Sequence, residues 1–332
     1  MQSLPLELII DNVFPYLERN SFNSFSVASK DLLRVSKKVL PPWPERLYSR
    51  DHLPRTQCLA FSPDGTTIAC GCSDSKIRLW DIRSGEYKPL DGHNPGEAVV
   101  SIVFSKSGKM LASSSTDHTI RIWHLDGEKP TRKIHASHVN SLDFLANDEI
   151  LFSGHYNSET IKVWNVSSGS LVRTLSGNAR GLVKDVLSET GNSLISTCND
   201  GLIKRWNLSD GTNSESWNGG SYNAIGSSPK NRVLVASVRA DDCFELWNTE
   251  TSGRRTCAHS KPHRIEFSPN GDKLASIDIY RNIKVWATKD GSLLSELEDK
   301  SLFAFHEVRF SPDARTVGAI SRHQNMIRLF QT

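Results

Sequence analysis

Six tryptophans, Trp80, Trp123, Trp164, Trp206, Trp247 and Trp286, recur at intervals of 43, 41, 42, 41 and 39 residues, and Phe330 follows 44 residues after the last of them. A fixed period of about 40 residues means one supersecondary unit repeated along the chain, because each unit is too small to bury its own apolar face and must stack on its neighbours. Each aromatic closes the same kind of run: IRLWDI (77–82), IRIWHL (120–125), IKVWNV (161–166), IKRWNL (203–208), FELWNT (244–249), IKVWAT (283–288) and IRLFQT (327–332). Runs this rich in β-branched and aromatic residues predict strands. A second run precedes each aromatic and ends in a turn signal, as in LAFSPDG (59–65), IVFSKSG (102–108), IEFSPNG (265–271) and VRFSPDA (308–314). Pro-Asp-Gly and its relatives set up a tight turn, so the second run predicts a strand as well.

With this period, several short strands per unit and a Trp-Asp-type ending, the chain from about residue 45 onward resembles the WD40-repeat family. The resemblance implies an all-β fold, a seven-bladed β-propeller over 45–332 with four strands in each blade. It also implies a buried hydrogen-bond chain in each blade, running through a His from a Gly-His pair, a Ser or Thr, an Asp in a strand-to-strand turn, and the Trp. Carried onto this sequence, the Asp falls six residues before the Trp at Asp74, Asp117, Asp200 and Asp241, and the His at His93 and His138, with His52 and His259 as further candidates. The implied locks are thus His93, His138, the four aspartates and the six tryptophans; buried polar groups of this kind persist only when partnered. Ser158, Tyr280 and Gln324 stand where the third, sixth and seventh repeats would carry Asp, and Asn178 stands where the fourth would carry His. Those blades are expected to be less rigid, through drift or because the freed turns contact a partner.

The last repeat ends directly after its aromatic strand and lacks a fourth strand of its own. Residues 45–50 precede Asp51-His52, the punctuation that follows outer strands elsewhere, and are expected to pair with the C-terminal strands and close the ring, removing an exposed sheet edge.

Composition narrows the function. The six cysteines, at 58, 70, 72, 198, 243 and 257, lack zinc spacing, and Cys70 and Cys72 read as strand packing. No cofactor or metal is expected. Forty basic residues against 37 acidic ones give a formal charge of +3 with the signs interspersed, which leaves no basic stripe for nucleic acid. No apolar run approaches 18 residues, and MQSLPLELIIDNVF carries no cationic segment ahead of its apolar residues, so a membrane span and a secretory leader are not expected and the reading is intracellular, cytoplasmic or nuclear. Gly-x-Ser-x-Gly, P-loop, His-Glu-x-x-His and Gly-x-Gly-x-x-Gly motifs do not occur. A non-enzymatic protein-binding role is the expectation.

The part outside the repeats carries the sharpest functional hint. In residues 3–39, Leu6, Ile9 or Ile10, Val13, Phe14 and Leu17 keep helical spacing. Pro5 suits a first helical turn, Pro15 ends or bends the helix, and Asn20 or Ser21 can cap a second one bearing Phe22, Phe25, Leu32 and Leu33. Some 40 residues bury too little surface to stand alone and must dock on something. Leu-Pro-x-Glu-Leu, then Val-Phe-x-Tyr-Leu, then Val-x-x-Ser-Lys resembles an F-box, the helical motif that binds the Skp adaptor of cullin-RING ubiquitin ligases. An F-box-like module over 1–40, a Pro-rich joint at 41–44 and a propeller would together imply a substrate receptor, with Leu4, Pro5, Leu8, Ile9, Val13, Phe14, Tyr16 and Leu17 carrying adaptor contact and internal packing. No Trp follows the Ser29-Lys30 pair, although Trp43 could pack in a similar way. Two other readings stay open. Trp80-Asp81-Ile82-Arg83 resembles the Trp-Asp-x-Arg box with which some WD proteins reach a different cullin adaptor through the Arg, and a plain scaffold with helices packed on the ring needs neither motif. The family's usual recognition face would place His155, Tyr156, Arg180, Tyr222, Arg239, Tyr280, Arg281, Arg322 and His323 around the central channel for cargo, Tyr and Arg being favoured at interface hot spots.

Overall fold

The computed structural model describes residues 46–47, 54–126, 132–145, 147–155, 160–177, 183–188, 193–198, 202–218, 222–227, 233–238, 243–248, 253–258, 262–278, 282–297, 305–321 and 326–332. The helices expected over 3–39, and with them the eight residues assigned to adaptor contact, lie outside these. The chain divides between Glu45 and Arg46, and the second unit holds every described strand. Among the described residues there is no helix, and none therefore long and apolar enough to cross a membrane.

The strands form seven four-stranded sheets, antiparallel in each pairing between neighbours. In the first, Thr56–Phe61, Thr67–Cys72, Ile77–Asp81 and Tyr87–Leu90 follow one another as a simple meander. The next five repeat this, opening on Val99–Phe104, Val139–Phe144, Val183–Ser188, Tyr222–Ser227 and Pro262–Phe267. The seventh has only three consecutive strands, Phe305–Phe310, Thr316–Ser321 and Met326–Gln331, and its fourth position is filled by Arg46–Leu47 from the other end of the unit. There Arg46 pairs with Arg328 and Leu47 with Ile327. Opening strands of successive sheets lie against one another, and Phe305–Phe310 lies against Thr56–Phe61, so the series returns on itself as a β-propeller.

The local reasons are visible in each unit. Thr119–His124 alternates β-branched residues with polar ones, and its neighbour Met110–Ser115 is fully buried after its first residue. Buried strands need continuous small or apolar side chains, which Leu-Ala-Ser-Ser-Ser supplies. At the turn after Phe61, Gly65 sits at φ 70 and its N–H donates to the Ser62 carbonyl, while Asp64 accepts from the Thr66 N–H. The seventh sheet has Ala314 at the corresponding place, at φ 58, a conformation that glycine adopts without strain and alanine does not. Between sheets the core is a set of separate apolar layers. One joins Ile120, Ile122 and Ile134 to Leu142, Phe144 and Trp164; another joins Phe152 and Ile161 to Leu194 and Trp206. Each buried indole removes on the order of 200 Å² from water, worth about 5 kcal/mol at most, so the tryptophan is a large contributor to each layer that holds one.

Candidate interaction surface

The second sheet carries the complete side-chain chain implied by the family. Trp123 Nε1 donates to Ser113 Oγ at 2.9 Å, Ser113 Oγ lies 2.7 Å from His93 Nε2, and His93 Nδ1 lies 2.9 Å from Asp117 Oδ2. Asp117 also accepts from Thr119 Oγ1 at 2.6 Å and from the backbone N–H groups of Thr119 and Asn94. Burial pushes its carboxyl upward, but hydrogen bonds from Thr119 and His93 outweigh burial and hold it at about 2. Burial lowers His93, against the opposing pull of Asp117. A neutral imidazole with its proton on Nδ1 satisfies every contact: Nδ1–H donates to the carboxylate and Nε2 accepts from the serine.

Elsewhere the pattern departs from expectation in ways that share one logic. In the third sheet His138 is not part of the chain. Only Ala136, Ser137 and His138 separate the strands Arg132–His135 and Val139–Phe144, so His138 sits exposed at φ 57. Its place in the chain is taken by His155, a residue that the family resemblance places on the cargo rim. His155 is 3% exposed, its Nε2 lies 2.9 Å from Ser153 Oγ and its Nδ1–H donates to the Ser137 carbonyl at 2.8 Å. Trp164 Nε1 completes the chain on Ser153 at 2.8 Å. His155 is thus a buried framework residue, and the sheet expected to be loosened by Ser158 has its own lock.

In the first sheet Asp74 holds no histidine among the described residues; it pairs with Arg78, Nη2 to Oδ2 at 2.7 Å and Nη1 to Oδ1 at 3.1 Å. The same guanidinium lies 5.7 Å over the ring of Tyr87, whose centroid is 4.6 Å from that of Trp80. In the fourth sheet, where Asn178 replaces the family's histidine, buried Lys204 donates to the Gly177 carbonyl, and Trp206 Nε1 donates to Ser196 Oγ at 2.9 Å. In the sixth, Trp286 donates to Ser276 at 2.8 Å, and Asp278 accepts from both the N–H and the Nδ2 of Asn282 at 2.8 Å. In the seventh, the Phe330 ring has no N–H to donate, and Ala319, opposite Arg328, stands in the register position that serine holds in the second, third, fourth and sixth sheets. Donor and acceptor have been lost together, and Phe330 packs edge-on against Phe305 at 5.8 Å.

Ser113, Ser153, Ser196 and Ser276 all pair across strands with the basic residue two before the tryptophan: Arg121, Lys162, Lys204 and Lys284. The family pattern places a Ser or Thr in the chain without fixing its position, and the spacing of ten or eleven residues ahead of these four tryptophans is the sequence signal for it. Trp80, Trp123, Trp164, Trp206 and Trp286 are all buried; Trp247 lies on Cys243–Asn248 with its side chain outside the described residues. Asp200, Asp241, His52, His259, Tyr156, Arg180, Arg239, Tyr280, Arg281, Arg322 and His323 also lie outside them, as does the side chain of Tyr222. Arg83 is exposed on the turn after Ile77–Asp81, where Asp81 accepts from the Ser84 N–H at 2.7 Å.

A ring of antiparallel four-stranded sheets, six of them with a tryptophan on the third strand and the seventh with Phe330 there, defines a propeller of the WD-repeat class, generally a non-enzymatic module for protein interaction. The sequence profile described as IFT122 first beta-propeller matches residues 55–331, and the chain belongs to that family of β-propellers. Its relatives include nuclear distribution protein nudF 1 of Talaromyces marneffei, 34% identical over 151 residues covering 44% of this chain and 32% of that protein. Protein tipD of Dictyostelium discoideum is 24% identical over 79% of this chain and 44% of its own length. The transcriptional corepressor LEUNIG_HOMOLOG of Arabidopsis thaliana is 26% identical over 72% of this chain and 30% of its own. The chain thus spans between about a third and somewhat under half of these curated relatives.

Proposed function

We propose that this chain is a non-enzymatic scaffold, a seven-bladed WD40 propeller over 45–332 in which each four-stranded sheet is one blade, working inside the cell by binding other proteins in a multiprotein complex. The observation that carries the reading is where the reactive side chains are spent. Among the described residues with acid–base chemistry, His93, Asp117, His155 and Asp278 are each committed to holding turns of their own sheet together. What such a framework offers a partner is its surface, and Tyr156, Arg180, Tyr222, Arg239, Tyr280, Arg281, Arg322 and His323 are the proposed cargo contacts. Relatives named for nuclear distribution and for transcriptional corepression suit a scaffold.

A second reading rests on Leu4, Pro5, Val13 and Phe14, whose spacing resembles an F-box and would make the chain a receptor of a Skp-containing ubiquitin ligase. Quantitative affinity purification of the full chain, of the L4A/P5A double variant and of R83A separates the readings. The scaffold predicts the same partners from all three. Loss of a Skp adaptor and cullin from L4A/P5A alone would establish the receptor, and loss of a ligase from R83A alone would establish the other adaptor.

A further inference from the structure

His118 and His138 belong to adjacent sheets, and each occupies a turn at positive φ, 62° and 57°, a conformation uncommon outside glycine that histidine adopts more readily than most residues. Such a conformation persists where the surroundings over-determine it. Both turns are pinned: the His118 carbonyl accepts from the Ala136 N–H at 2.9 Å, the His118 N–H donates to the Ser115 carbonyl, and the Ser137 carbonyl accepts from buried His155 at 2.8 Å. The two imidazoles are thereby brought together at the surface, ring centroids 4.9 Å apart and planes at 66°. Both residues are exposed, and neither ring takes part in the Trp–Ser–His chains. Core packing therefore does not account for the pairing.

The spacing has a chemical counterpart. An imidazole nitrogen binds zinc at about 2.0–2.1 Å, and the ring centre lies about 1.1 Å further out, so two imidazoles sharing one ion at an angle of about 90–109° would place their centroids about 4.5–5.2 Å apart. The observed separation of 4.9 Å falls inside that range. We propose that His118 and His138 form a two-point chelate for a borderline divalent cation of the zinc, nickel or copper class, to which imidazole is the suited ligand. Among the described residues no group of three or more His, Cys, Asp or Glu could hold a metal, so the ion would keep coordination positions open to water or to a side chain presented from outside. The chelate does not depend on the scaffold reading.

The test is calorimetric titration of the intact chain with zinc chloride and, separately, nickel chloride, in a non-chelating buffer. The variants are H118N, H138N, the double variant and H124N, because asparagine tolerates positive φ and keeps the turns. His124 lies at the opposite end of the strand that begins at Thr119, about 20 Å away. The expected result is a site in the wild type and H124N that each of H118N and H138N weakens on the order of tenfold to a hundredfold, because each removes one arm of a chelate, with the double variant little worse than either single. Zinc should raise the melting temperature of the wild type and of H124N by more than that of the three variants. Equal binding by the wild type and the double variant would overturn the assignment, and so would dependence on only one of the two histidines.

Discussion

Replacing Ser113 with alanine removes one oxygen and strands two buried groups. Ser113 is fully buried, and its Oγ serves Trp123 Nε1 at 2.9 Å and His93 Nε2 at 2.7 Å. An unpartnered buried donor or acceptor costs about 1–3 kcal/mol, and removing the serine returns part of that because its own desolvation disappears. Two stranded groups therefore place the loss at about 2–4 kcal/mol. Ser196→Ala strands the N–H of Trp206 and should cost about 1–2 kcal/mol by the same reasoning. Lys88→Ala, on an exposed strand, should stay within about 0.5 kcal/mol. Chemical denaturation gives the three values, and hydrogen exchange on peptides spanning 99–135 should show protection lost first around Ser113. A Ser113→Ala protein within 0.5 kcal/mol of wild type would refute the view that the side-chain chain supports the sheet.

Arg78→Met should destabilise the first sheet by about 1–3 kcal/mol in urea titration, because Asp74 loses both guanidinium bonds. Between the opening strands of the sixth and seventh sheets, Arg264 and Arg309 both contact Glu307 at 2.8 Å, and Arg309 contacts Glu266 at 2.9 Å. Burial pushes Glu307 upward but the two arginines bring it below its ordinary value, whereas burial leaves Glu266 raised. A depressed carboxylate contributes stability above its unfolded value that is lost as pH falls, and a raised one does the reverse. Unfolding midpoints followed from pH 7 toward pH 3 should therefore decline less steeply in Glu307→Gln than in wild type, and more steeply in Glu266→Gln. Deleting 45–50 removes the outer partner of Met326–Gln331 and should lower the thermal midpoint sharply, whereas deleting 1–40 should leave the ring folded.

The period of the tryptophans and the Pro-Asp-Gly turns are local properties, and a reader of the sequence can find the strands from them because strand and turn preferences are set within a few residues. The chain Trp123–Ser113–His93–Asp117 was partly legible for the same reason: Asp and Trp stand at a fixed offset within one repeat. Substitutions for a missing member were not. Arg78 reaches Asp74 from the next strand, Lys204 reaches back to Gly177, and His155 comes from the second strand because the loop before Val139 is too short to deliver His138 inward. These are decided by which side chain can fill a vacated polar pocket, a three-dimensional question. The basic residue two before each aromatic, in six of seven repeats, was the available signal; its regularity resembled an ordinary solvated strand face.

The most direct test of the account scores every substitution of the full chain twice, once for cellular abundance and once for capture of a partner identified by cross-linking. The account predicts that substitutions at Ser113, His93, Asp117, Trp123 and His155 lower abundance and lower capture only in proportion, while substitutions that lower capture at full abundance fall on exposed turns. Loss of capture at full abundance from His93, Asp117 or His155 variants would contradict it, because those side chains would then be acting on the partner and not on the fold.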